Sequence, residues 1–270
     1  MTGGSDSGAD SAASRHASRR RLALAVDIVV LTVRDGNLRV LLIRRSSKHH
    51  AGEWALPGGF VGVEEPLDAA AERELLGDTG VHLDPTHLEQ LRAYGAPERD
   101  DRAGKRVVTV AYLAIQPELP EPVAGEDASA AKWEPVGNVL SGAQPLAFDH
   151  TAIVGDAVHR VREELEYTAL ATAFCPQEFT EAQLRAVYEA VWEIGRDDAE
   201  RGLDAPNFHR SLATLYPPIV QRVPEKWAAT GGRPAALYRS SDFVRERGPA
   251  ARLERPLLRP RGGAIERRVY

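Results

Sequence analysis

Hydrophobic positions along this chain follow two different periods, and the change from one to the other divides it. From Leu22 to Val33 the run LALAVDIVVLTV is aliphatic and β-branched, as a buried strand requires. Asp35-Gly36 or Gly36-Asn37 supplies a hairpin turn, and LRVLLIRR from Leu38 returns as the partner strand. Leu88 to Tyr94, Arg106 to Ile115 and Ala131 to Pro135 are further strand candidates. Leu67 to Leu76 is rich in Ala, Leu and Glu, with Pro66 near its start and Gly80 past its end, which predicts a helix. Gly95 to Lys105 is a charged, turn-rich loop suited to lining a pocket. Strands interrupted by one helix predict an α/β domain over residues 22–145.

Beyond Pro145 the helical period takes over. His150 to Tyr167 places Ile153, Val154, Ala157, Val158, Val161 and Leu165 on one stripe opposite a charged face. This predicts a connecting helix within residues 146–175, whose stripe must pack on a domain or on another subunit. Thr180 is an expected N-cap for a helix running to Ile194, with Leu184, Val187, Tyr188, Val191 and Trp192 on its apolar face. Asp204 caps a second helix, APNFHRSLATL, with Pro206 in its first turn and Phe208 and Leu212 facing the core. A short strand at Ile219 to Val223, the turn Gly231-Gly232-Arg233-Pro234 and the strand AALYR complete residues 176–243. Helix, loop, helix and Gly-tipped hairpin is the order of a mainly α winged helix-turn-helix.

Composition narrows the function classes. The formal net charge is -5, so there is no global basic signature and any nucleic-acid contact must be local. Cys175 is the single cysteine, which excludes an internal disulfide and a cysteine-rich zinc site and fits a reducing cytoplasm. No run of about 18 apolar residues is present, nor a signal-peptide core, so neither a membrane span nor secretion is expected. Residues 1–21, polar and closed by Arg15, Arg19, Arg20 and Arg21, read as a disordered tail. Residues 244–270, with Arg far outnumbering Glu, read as a second solvated, disordered tail, the alternative being a tail that adds sequence-independent affinity for phosphates.

The densest chemistry lies between Gly59 and Val81. Gly59 and Glu65 are separated by five residues, Glu65 and Arg73 by seven, and Arg73-Glu74-Leu75 leads on to Gly80-Val81. This resembles the Nudix box, a pyrophosphate-hydrolysing motif, with its adjacent Glu-Glu pair replaced by Gly77 and Asp78. Glu74 and Asp78 stand one helical turn apart, and the loop Pro57-Gly58-Gly59 lets backbone approach a phosphate. Such carboxylates suit Mg2+ bridging to a pyrophosphate, so Glu74 and Asp78 are the candidate metal ligands; no cofactor is otherwise required. In the second half, Asn207, His209 and Arg210 open the expected recognition helix, where Asn suits adenine and Arg suits guanine or phosphate. Gly232 and Arg233 at the hairpin tip would place a cation on the flanking DNA backbone or in the minor groove.

Together, the altered box, the segment EYTALATAFCPQEFTEAQLRAVYEAV, LDAPNFHRS and GGRPAALYR resemble the Nudix-related transcriptional regulators, the NrtR family, over residues 22–243. The resemblance implies an α/β Nudix-like sandwich, a mixed sheet flanked by helices, followed by a connecting helix and a winged helix. It implies a cytoplasmic homodimeric repressor of NAD synthesis and salvage genes, binding a double-stranded DNA operator and sensing ADP-ribose or a related NAD metabolite. By position, the vestigial box is Glu65, Arg73, Glu74, Gly77 and Asp78, the reading helix Asn207 to Arg210, and the wing Gly231 to Arg233. Family members commonly carry more basic residues where this chain has Asp204-Ala205-Pro206. The expected effector pocket comprises Gly58, Gly59, Arg73 and Glu74 with nearby Arg44, Arg99 and Arg106. The competing reading is an active Nudix hydrolase of ADP-ribose or another nucleoside diphosphate derivative with an accessory C-terminal domain; loss of the acidic pair weighs against it.

Overall fold

Strand β1 (Arg21–Arg34) is the axis of the first domain, paired on one side with β2 (Asn37–Arg45) and on the other with β6 (Lys105–Ile115). The computed structural model describes residues 21–83, 87–100, 105–125, 127–193, 204–228 and 234–258. Residues 1–20, 259–270 and the expected hairpin tip with Gly232 and Arg233 lie outside the described residues. Asp35 and Gly36 both have positive φ, 51° and 72°, as a two-residue turn matched to strand twist demands. The sheet order is β3-β2-β1-β6-β5, with β3 (Trp54–Ala55) and β5 (Glu89–Tyr94) at its ends. β4 (Gly58–Phe60) pairs with β1, and β7 (Ala128–Pro135) with β2. Among the described strand pairs of this sheet only β1 and β6 run parallel, so the sheet is mixed.

Strand alternation splits β1 between two layers. Val26, Ile28 and Val30 pack on Ala70, Ala71 and Leu75 of α1 (Leu67–Thr79). Val29 and Leu31 face Ile153, Val154, Ala157, Val158 and Val161 of α3 (His150–Tyr167), which follows the short α2 (Val136–Leu140). α3 occupies the span its stripe predicts, and the choice between domain and neighbouring subunit resolves within the chain. The same core continues through Leu184, Val187 and Tyr188 of α4 (Glu181–Trp192) to Phe208 and Leu212 of α5 (Ala205–Ala213). One apolar core therefore joins the sheet, the connecting helix and the helix-turn-helix. Strands β8 (Phe179–Thr180), β9 (Val220–Ala228) and β10 (Ala235–Ser240) form a second, antiparallel sheet beside it.

Several boundaries differ from expectation. α1 runs past Leu76 to Thr79, because Gly77 is exposed on the helix and Gly80, at φ 64°, is the stop. α4 ends at Trp192, where Glu193 turns left-handed. The larger correction concerns the expected disordered segment 244–270, whose first part, to residue 258, is ordered. α6 (Asp242–Arg247) is capped by Ser241, and the chain then returns to the end of α3. There Leu253 N–H donates to Tyr167 O at 2.8 Å and Leu257 N–H to Glu166 O at 3.0 Å. These carbonyls belong to the last turn of α3 and have no partner within the helix. Leu253, Leu257 and Leu258 are buried in the shared core, which offsets the entropy of ordering the strap.

Candidate functional site

A cavity of about 430 Å³ opens where β1, the Gly58-Gly59 loop, α1 and the start of α3 converge. Gly59 belongs here for a steric reason: a Cβ on it would collide with the Glu74 carboxylate. Glu74 and Asp78, four residues apart on α1, both line the cavity. Asp78 is buried and accepts a hydrogen bond from Gly58 N–H at 3.0 Å. Burial pushes its carboxyl up to about 6, with the charges of Glu74 and Asp127 adding to the rise and the Gly58 N–H opposing it.

Arg73 does not face the cavity. It grips Glu65 through two bonds, Nε to Oε1 at 2.7 Å and NH2 to Oε2 at 2.8 Å, and reaches Glu74 Oε1 at 2.6 Å. Arg73 holds the Glu65 carboxyl down to about 2, aided by the Gly62 N–H. These contacts clamp the glycine loop to α1. Gly77 faces open space, with no atom close enough to touch an added Cβ. Among the described residues, no group of three or more His, Cys, Asp or Glu is arranged to hold a metal ion. Glu74 accepts from Arg73 and Asp78 from Gly58 N–H, so both carboxylates of the expected pair are engaged within the chain.

The three expected cationic contacts separate. Arg44 points away from the cavity and donates to Gly52 O at 2.9 Å; its neighbour Arg45 lines the cavity instead, because adjacent strand residues face opposite sides. Arg106 is exposed and bound to Gly95 O at 2.7 Å, outside the cavity lining, while Val107 lines it. Arg99 does line the cavity and is buried. Its NH2 lies 3.2 Å from Asp27 Oδ2 and 2.8 Å from Asp149 Oδ1, with Nε 3.1 Å from Asp149 Oδ2. Burial disfavours the Arg99 charge, yet Asp149 and Asp27 outweigh it and hold the guanidinium more firmly protonated.

The sequence reading missed Asp27, His49, Asp100, Asp127, Phe148 and His150, all of which line the cavity. His150 Nε2 is 3.4 Å from Asp27 Oδ1, and its Nδ1 accepts from Leu56 N–H at 3.0 Å. Burial raises the Asp27 carboxyl, but His150 and Arg99 overcome that and leave it below the ordinary carboxylate value. One signal was visible: Asp27 is the lone charge in the run LALAVDIVVLTV, residues 22–33.

In the second domain, Thr180 and Gln183 form a reciprocal capping box at the start of α4. Asp204 caps α5 by accepting from Asn207 N–H at 2.9 Å, and the Asn207 side chain also bonds to Asp204. Arg210 NH1 donates to Asn207 Oδ1 at 2.9 Å, so these two candidate readers form one exposed fork. His209, also exposed, sits beside Glu181 of α4. On β9, Arg222 stacks over the exposed Trp227 at 5.1 Å, a cation on the wing that sequence reading passed over.

Two family models match the chain in succession: the NUDIX domain over residues 21–154 and the NrtR DNA-binding winged helix domain over residues 171–240. A protein of Acinetobacter baylyi described as an ADPR responsive transcriptional repressor, NtrR, is 33% identical over 218 residues, spanning 80% of this chain and 81% of that one. The crystal structure of Shewanella oneidensis NrtR complexed with a 27mer DNA superposes with a TM-score of 0.62 at 29% identity, covering 87% of this chain and 99% of that one. A MutT/nudix family protein from Enterococcus faecalis superposes with a TM-score of 0.64 at 27% identity, covering 87% and 94%.

Proposed function

Because this chain belongs to the NrtR family of Nudix-related transcriptional regulators, we propose that it is a DNA-binding repressor whose Nudix domain senses ADP-ribose or a related NAD metabolite. The observation that carries this reading is the single core in which α3 serves both domains. A nucleotide cavity at one end of a helix and a recognition helix packed toward the other end make one device. The cavity has the volume of a small-molecule site. Arg45 and Arg99 offer positive charge to a diphosphate, and the carboxylates of Asp27 and Asp100 suit ribose hydroxyls.

Asn207, His209 and Arg210 read base edges in the major groove, and the wing follows the flanking backbone. The regulated genes are those of NAD synthesis or salvage, and the repressor acts as a cytoplasmic homodimer on two half-sites. Gly77 leaves the box without one carboxylate, which favours holding the nucleotide over cleaving it.

A gel-shift assay on DNA from upstream of the chain's own coding sequence, with and without ADP-ribose, tests the reading. The same samples are monitored for AMP and ribose 5-phosphate. Ligand-sensitive DNA binding without product supports a regulator. Product without any shift overturns it in favour of a hydrolase.

A further inference from the structure

The chain needs a physical link between cavity and winged helix, and the ion pair between buried Arg99 and partly exposed Asp149 at the start of α3 has the required connections. At 1.5 Å per residue, the 18 residues of α3 make a rod of about 27 Å. Its far half is tied to the helix-turn-helix: Arg162 Nε donates to Val191 O at the end of α4 at 3.0 Å, and Leu165 packs with Leu184 and Tyr188. Its near end is tied to the cavity. Asp149 immediately precedes the helix, and its backbone carbonyl accepts from Ala152 N–H at 2.9 Å and Ile153 N–H at 3.2 Å. The Asp149 side chain is held by Arg99 through Nε and NH2, and the Arg99 guanidinium is shared with Asp27. Arg99 and Asp27 line the cavity; Asp149 does not.

We propose that the Arg99–Asp149 ion pair couples ligand occupancy to DNA binding, with Asp149 as the positioning residue that passes the state of Arg99 to α3. The inference rests on the reading of this chain as an ADP-ribose-responsive regulator. A diphosphate in the cavity competes with Asp27 and Asp149 for the guanidinium, whose N–H groups form a fixed fork. A phosphate that draws Nε or NH2 withdraws that donor from Asp149, so the ligand acts on the anchored end of the rod. The ligand thereby favours one placement of α3, which is the differential affinity that any ligand-driven shift requires. The pair suits this task because Arg99 is buried while Asp149 is only partly so, and losing Asp149 leaves the buried Arg99 charge with less compensation.

A second contact provides the control. Asp156, farther along α3, accepts from Arg92 NH2 at 2.6 Å and from Tyr94 O–H at 2.7 Å, outside the cavity lining. Breaking it loosens α3 from the sheet without touching the relay.

The test compares the full-length parent chain, Asp149→Asn and Asp156→Asn. Affinity for a labelled duplex from upstream of the coding sequence is measured by fluorescence anisotropy with and without saturating ADP-ribose, and ADP-ribose affinity by calorimetry. The parent should change its DNA affinity by about 5- to 150-fold on ligand addition, the usual range of allosteric coupling. Asp149→Asn should bring that ratio to within about 2-fold of unity while ADP-ribose affinity stays within about 10-fold of the parent, and Asp156→Asn should keep the parental ratio. A parental ratio in Asp149→Asn, its loss in both variants, or a larger fall in ligand affinity would overturn the relay. A parent chain that binds the duplex identically with and without ADP-ribose would overturn the regulatory reading itself, and the relay with it.

Discussion

The carboxylate of Glu181, the first residue of α4, lies 2.8 Å from Nδ1 of His209 on α5. A recognition-helix side chain is thus oriented by a residue of the preceding helix. With Nδ1 engaged, Nε2 is the ring nitrogen not held by Glu181, the one that the proposed function turns to a base edge. Glu181, Phe208 of α5 and Tyr238 of β10 border one cleft, where burial and the Glu181 charge both push the Tyr238 hydroxyl up. Glu181→Ala should raise affinity for any duplex by removing a negative charge, while the preference for operator over scrambled DNA falls by about 5- to 10-fold. Anisotropy titrations on both duplexes measure it; an unchanged preference would remove His209 from the reading set.

The buried Asp78 carboxyl, raised from 3.8 to about 6, sets a pH dependence. Between these values the folded chain holds a proton that the unfolded chain has released. Stability from this group is full below about pH 4, falls as pH rises toward about 6, and is constant above, the loss being on the order of 3 kcal/mol at most. Asp78→Asn keeps an acceptor for Gly58 N–H and cannot ionise. It should exceed the parent in urea unfolding near neutral pH and match it near about pH 4. An equal gain at both pH values would contradict the assignment.

Gly77 accepts a side chain without collision. Gly77→Glu should therefore raise stability by up to about 1 kcal/mol through helix propensity alone. Combined with Asp78→Glu it restores the acidic pair, and ADP-ribose hydrolysis in Mg2+ should rise by about tenfold or more. AMP release reports the outcome. A flat result would show that loss of carboxylates is not what limits turnover.

Leu257 is buried beneath the strap that returns to the end of α3. Leu257→Ala should cost about 2–5 kcal/mol in denaturant unfolding, as for any enclosed leucine. A disordered tail would show no loss.

What was legible in the sequence was what is local. The box declares itself because its contacts are short-range: Glu65, Arg73 and Glu74 sit within one loop and one helix. The capping box at Thr180 and the cap at Asp204 are likewise written within three residues. The cavity is different, since Asp27 meets Arg99 across 72 positions, and His150 meets Leu56 across 94. Choosing Arg45 over Arg44 required knowing which face of β2 the cavity occupies, and a shift of one residue reverses the answer. The strap was hidden by averaging: Leu253, Leu257 and Leu258 are diluted among Pro and Arg, so composition read as disorder what three anchors hold in place.

The glycine at 59 has a consequence for how such motifs age. Glu74 occupies the space a side chain there would need, and Arg73 locks Glu74 to Glu65, so substitution at any of these positions disturbs the loop before it touches chemistry. Gly77 has no such obligations. The box therefore has two kinds of position, those that hold the loop in shape and Gly77, where a carboxylate can be put back without moving anything else.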